Sequence, residues 1–171
     1  MTNPNRYGRL DIALHWVMAL LFMAQFATMQ WRDWLDKTDP ALEHVYGLHS
    51  LGGFAILILG LIRLVVRLRR GWLPHTPRAP GYQKLAARLV HVTFYLMFFA
   101  QPVTGILSTG GKLSTQAEGI AKALHSAGGW VIIALVTLHV AAVIYHQVMI
   151  KDDLLRRMWV ERRKKSSFSS N

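Results

Sequence analysis

The sequence predicts an all-α fold, a four-helix transmembrane bundle, on three observations. The 171-residue chain is 52% hydrophobic and holds four apolar runs of membrane length, near residues 12–31, 48–66, 89–107 and 124–148. Inside those runs, Arg63 and histidines are the only strongly polar ionisable groups. The remaining lysines and arginines cluster by side: 15 flank the runs at the chain ends and the middle connection, and four (Arg32, Lys37, Lys112, Lys122) lie in the other two connections. By the positive-inside rule both termini and the middle loop are cytoplasmic, and membrane lipid is the first partner. The net charge of +11 is explained by these flanks, so no nucleic-acid partner is expected. The chain has no Cys, which excludes Cys-ligated clusters, disulfides and thioether-linked haem.

The first run follows a short polar lead and is too long for the apolar region of a signal peptide. His15 and Trp16 sit about one turn in; Trp16 suits an interfacial anchor, and His15 is either a ligand or a headgroup-level hydrogen-bonder. Residues 31–47 are expected to form an acidic outer loop, with Asp33, Asp36, Asp39, Glu43 and a solvated His44. The second run opens on LHSLGG, with His49 at its start, and ends in arginines; Arg63, near that end, is placed to snorkel. Residues 71–83 carry three prolines and an exposed His75 and read as an inner loop. The third run starts near Leu89, with His91 at its inner end placed to meet water or an anionic group or, ranked below these, to ligate a metal, and Pro102 is expected to kink or end it. Residues 108–123 read as the second outer loop.

The fourth run opens on LHSAGG, a near copy of the earlier LHSLGG, and carries His125, His139 and His146. His125 and His139 are 14 residues apart, which returns to within about 40° of one helix face and separates them by roughly 21 Å. In both copies glycines stand three and four residues after the His, one turn on. They serve either a flat, bulky group approaching the backbone or close packing of helices. Beyond the fourth run, KDDLLRRM reads as an inner-surface helix and residues 160–171 as a disordered tail.

Sorted by depth, His49 and His125 lie outside, His15 and His139 in the inner half, and His91 and His146 nearer the inner surface. Ionisable groups inside a bilayer are costly, so each is a functional candidate. Zinc wants three or four protein ligands, and no carboxylate or Cys lies at these depths. Two imidazoles per layer suit haem iron, whose macrocycle supplies four nitrogens, and filling both axial positions favours electron transfer over oxygen binding. A competing class, a proton or metal transporter using these histidines, lacks the membrane carboxylates such proteins often carry.

RLDIALHW at 9–16, GLHSLGG at 47–53, ARLVHVTFYLMFFAQPVTG at 87–105, LHSAGGW with LHVAAVIYH in the fourth run, and KDDLLRRM together resemble the bacterial cytochrome b561 family over nearly the whole chain. The resemblance implies a single inner-membrane domain over residues 1–171 holding two haem b groups. It pairs His15 with His139 at the inner haem iron and His49 with His125 at the outer one. It also implies a quinone site, with ubiquinone as acceptor, near the inner end of the fourth helix, where His146, Lys151 and Asp152 stand. Within the family this short form looks most like a superoxide:ubiquinone oxidoreductase. The alternative it leaves is a cytochrome b subunit fed by another periplasmic redox partner.

Overall fold

The structure, a computed structural model of the chain, describes residues 8–70, 80–111 and 113–151. Among these there are four long helices and no strand: α1 (Arg9–Asp33), α2 (Ala41–Arg70), α3 (Gly81–Leu107) and α4 (Thr115–Tyr145), followed by one π-helical turn, His146–Ile150. All four are long and apolar enough to cross a membrane. The shortest has 25 residues, about 37 Å at 1.5 Å per residue, so each outruns a hydrocarbon core of roughly 30 Å.

The helices begin and end further out than the apolar runs. The first connection is only 34–40, so Glu43 and an exposed His44 belong to α2 rather than to a loop. Gly81 to Gln83 open α3, and α4 starts at Thr115, not near 124. The physical reason is that hydropathy marks only the stretch inside hydrocarbon, while Ala, Leu, Glu, Gln and Lys continue a helix into water. The true starts carry caps. Asp39 accepts from the Ala41 amide at 2.8 Å, Pro80 precedes α3, and Ser114 accepts from the Ala117 amide at 3.3 Å. Pro102 neither ends nor interrupts α3, which runs on to Leu107. The expected inner-surface helix and tail lie outside the described residues, as do His75 and Asp152.

α1 packs on α2, α2 on α3 and α3 on α4. The buried core is Met18, Ile56 and Phe98, with Leu21, Phe22, Leu59, Phe94, Tyr95 and Phe99 around it. Phe98 is its hub, with ring centres 5.5 Å from Phe22, 5.6 Å from Tyr95 and 6.3 Å from Phe94. It rests on Gly60 of α2, where a Cβ would lie 3.0 Å from the Phe98 Cβ. Outward-facing Leu20, Met23, Leu51 and Trp130 are exposed, a surface that lipid covers.

Candidate functional site

Each of four histidines sits on a different register of the bundle, and the fold brings them together in two pairs. At the end remote from the chain termini, the distal layer, His49 of α2 and His125 of α4 have ring centres 6.0 Å apart. At the end nearer the termini, the proximal layer, His15 of α1 and His139 of α4 are 6.3 Å apart. Neither distal histidine starts its helix: His49 lies two turns into α2 and His125 nearly three turns into α4. All four are half-buried. The helix pairs that carry them are not among the closely packed ones.

The fit to a haem iron is tested on these distances. A metal about 2.0–2.1 Å from one nitrogen of each imidazole, with about 1.1 Å from nitrogen to ring centre, puts the centres roughly 6 Å apart. Both pairs meet that spacing. Among the described residues no group of three or more His, Cys, Asp or Glu is placed to hold a metal ion by itself. Such pairs suit a metal that arrives with most of its ligands.

The tautomers follow from the hydrogen bonds. His125 Nδ1 lies 2.9 Å from the Gln101 carbonyl and 3.4 Å from Thr104 Oγ1. A carbonyl only accepts, so Nδ1 carries the proton and Nε2 keeps its lone pair. His49 Nδ1 lies 3.3 Å from Thr28 Oγ1. In the proximal layer the Arg63 guanidinium reaches inward, not toward headgroups, and donates to His15 Nδ1 at 3.3 Å. In that arrangement a neutral His15 holds its proton on Nε2, so ligation through Nε2 requires Arg63 to release Nδ1.

Of the roles open to His91, its position beside the proximal pair goes beyond simple contact with water. Its ring stands edge-on to His139 at 5.6 Å, and its Nδ1 donates to the Ala87 carbonyl at 2.6 Å. His139 is further enclosed by Phe94, 5.8 Å away. His146 opens the π-helical turn, half-buried, edge-on to Tyr145 at 6.0 Å. Lys151 is exposed, ends that turn in the left-handed region at φ 55°, and donates its amide to the His146 carbonyl at 2.8 Å.

Two glycines of the repeated motif serve helix packing. A Cβ on Gly52 would collide with the Gln25 amide, and one on Gly128 would lie 2.9 Å from the Gln101 amide carbon. Gln101 uses that space to donate to the His125 carbonyl at 3.1 Å. Gly53 has open space beside it.

Gln25, Thr28, Gln101 and Thr104 are the residues that motif reading misses. Their signal is a second repeat: AQFAT at 24–28 and AQPVT at 100–104 stand 76 residues apart, the same offset as LHSLGG and LHSAGG. At that offset His15 matches His91, His49 matches His125, and Arg63 matches His139. The chain is thus a helical hairpin given twice, with the distal layer symmetric and the proximal one broken at a single position.

A membrane-spanning bundle of four helices with two facing histidine pairs defines a class, the multihelix membrane cytochromes that hold haem without covalent links. Residues 6–160 match the family model for prokaryotic cytochrome b561, and the chain belongs to that family. It is 32% identical to cytochrome b562 of Cereibacter sphaeroides, over 92% of this chain and 98% of that protein. It is 30% identical to cytochrome b561 homolog 2 of Escherichia coli K12, over 91% and 92%. A probable superoxide oxidase, CybB of Yersinia pestis, is 26% identical over 92% and 98%. The chain is therefore a bacterial membrane protein of an electron-transfer family whose cofactor is haem b.

Proposed function

We propose that the chain carries single electrons across the membrane through two haem b groups, one on each histidine pair, from superoxide at the distal, periplasmic side to ubiquinone at the proximal, cytoplasmic side. The observation that carries this reading is the pair of facing imidazole sites, one toward each end of a membrane-spanning bundle. Bound there, haem supplies one-electron chemistry at iron. His49 and His125 would hold the haem of one site, and His15 and His139 that of the other. Two histidines at each site would suit electron transfer rather than binding of small ligands.

The net reaction balances as two superoxide and one ubiquinone with two protons giving two dioxygen and one ubiquinol. The two protons are taken up at the proximal end. His146 is suited to hydrogen-bond a quinone oxygen and pass a proton, since imidazole titrates near neutral pH. Lys151 supplies a positive charge one helical turn on, and Asp152 follows it in sequence. The family relation to a protein named a probable superoxide oxidase supports the donor.

One observation favours a second reading of the donor. The distal loop is acidic, and Arg32 is paired with Asp33 at 3.1 Å rather than turned toward an incoming anion. Such a mouth attracts a basic redox protein better than a free anion. The test is the purified, detergent-solubilised protein. Two b haems per chain, reduced by superoxide and reoxidised by ubiquinone, is the expected result. Two haems inert to superoxide would transfer the donor's role to a protein partner. Absence of haem would overturn the assignment.

A further inference from the structure

The distal layer is built twice from the same parts. On one side Thr28 of α1, bonded to the Gln25 carbonyl, stands against His49 of α2; on the other Gln101 and Thr104 of α3 stand against His125 of α4. Every member lies 76 residues from its counterpart. Identity at one such position is unremarkable, but here the same side chains recur together, and in both halves the threonine hydroxyl oxygen lies within 3.4 Å of the histidine Nδ1.

The hydroxyls are oriented. A threonine has one O–H proton. Thr28 gives it to the Gln25 carbonyl at 2.8 Å, so a lone pair faces His49 Nδ1. Thr104 gives it to the Ala100 carbonyl at 2.7 Å, or to that of Gln101 at 3.0 Å, so a lone pair faces His125 Nδ1. Both rings therefore meet acceptors at Nδ1. Both are held as the Nδ1–H tautomer with the Nε2 lone pair directed elsewhere.

We propose that Thr28, oriented by the Gln25 carbonyl, and Thr104, together with the Gln101 carbonyl, are paired positioning groups. They fix the tautomer and electron-richness of the two distal histidines and so tune the distal iron from both faces. This rests on the reading of His49 and His125 as axial ligands. An acceptor at Nδ1–H makes the imidazole a stronger donor through Nε2, and a stronger donor favours ferric over ferrous iron. Removing an acceptor must therefore raise the reduction potential. Loss of such partners typically weakens a metal site about 10–100-fold. A tenfold change in the ferric-to-ferrous preference is about 59 mV for one electron.

The experiment is a redox titration with low-temperature electron paramagnetic resonance on the full chain, wild type and variants. Thr28→Val and Thr104→Val keep the side-chain shape and remove the hydroxyl. Each should shift one of two redox waves upward by up to about tenfold in that preference. The other wave should stay in place, and the double variant should shift further than either. Thr28→Ser and Thr104→Ser should restore the wild-type position. Two haems with both waves unmoved in both valine variants would overturn the inference while leaving the ligand assignment intact. A distal haem that survives His49→Ala and His125→Ala would instead overturn the ligand assignment. If a valine variant binds no haem, the serine variant decides: restored haem supports the inference, and equal loss refutes it.

Discussion

Imidazole at membrane depth becomes useful only when its second nitrogen is occupied. In this chain Nδ1 of His125 and of His91 donates to carbonyls one helix away or one turn back, which leaves Nε2 basic. His15 is the exception, since Arg63 supplies the hydrogen bond there. Four substitutions test the pairing. His49→Ala or His125→Ala should halve haem content by removing the distal group, and His15→Ala or His139→Ala should do the same at the proximal one. Pyridine haemochrome assay against protein mass reads the stoichiometry, and full content in any variant would break its pair. The four histidines were legible as candidates because ionisable groups stand out in apolar runs. Their partners were not. Gln25, Thr28, Gln101 and Thr104 are ordinary polar residues until a fold sets them beside a ring. The inward turn of Arg63 depends on α1 lying against α2, which no local pattern states.

At the scale of elements, the four apolar runs located all four helices, and the caps at Asp39, Pro80 and Ser114 mark where they begin. What the runs concealed is length, because helix propensity continues where hydropathy stops. Small residues then decide how closely the helices approach. Gly60 receives Phe98, the centre of the aromatic core. Gly60→Val places branched carbons where even a Cβ is at 3.0 Å, and overpacking of this kind costs about 1–3 kcal/mol. The expected outcome is a lower midpoint in thermal unfolding followed by haem release, with the histidine spacing spectroscopically intact. An unchanged midpoint would show that α2 and α3 separate freely at this contact. The repeated glycines behave differently: at Gly52 and Gly128 the neighbours are flexible glutamine ends, which can give way.

Among the described residues the molecule is two hairpins related by the 76-residue offset, with an aromatic layer of Phe22, Phe94 and Phe98 between the two histidine pairs. Tyr95 packs on Phe98 in that layer, and Phe94 meets His139 of the proximal pair. In the proposed reaction, movement of an electron between the layers would be a movement of net charge through low-dielectric material. His125 and His139 are roughly 21 Å apart along α4, about two-thirds of a 30 Å hydrocarbon core. In the proposed direction the electron travels toward the negative side of an energised membrane. At about 2.3 kcal/mol per charge per 100 mV, the crossing is opposed by roughly 1.6 kcal/mol for every 100 mV. In proteoliposomes, imposing a potential negative on the proximal side should slow quinone reduction, and reversing it should speed the reaction; insensitivity to both would place the two layers at one electrical depth. In the proposed reaction the separation of the two layers would couple electron transfer to the membrane voltage, so a cell with a collapsed potential would drain its distal donor faster than a well-energised one.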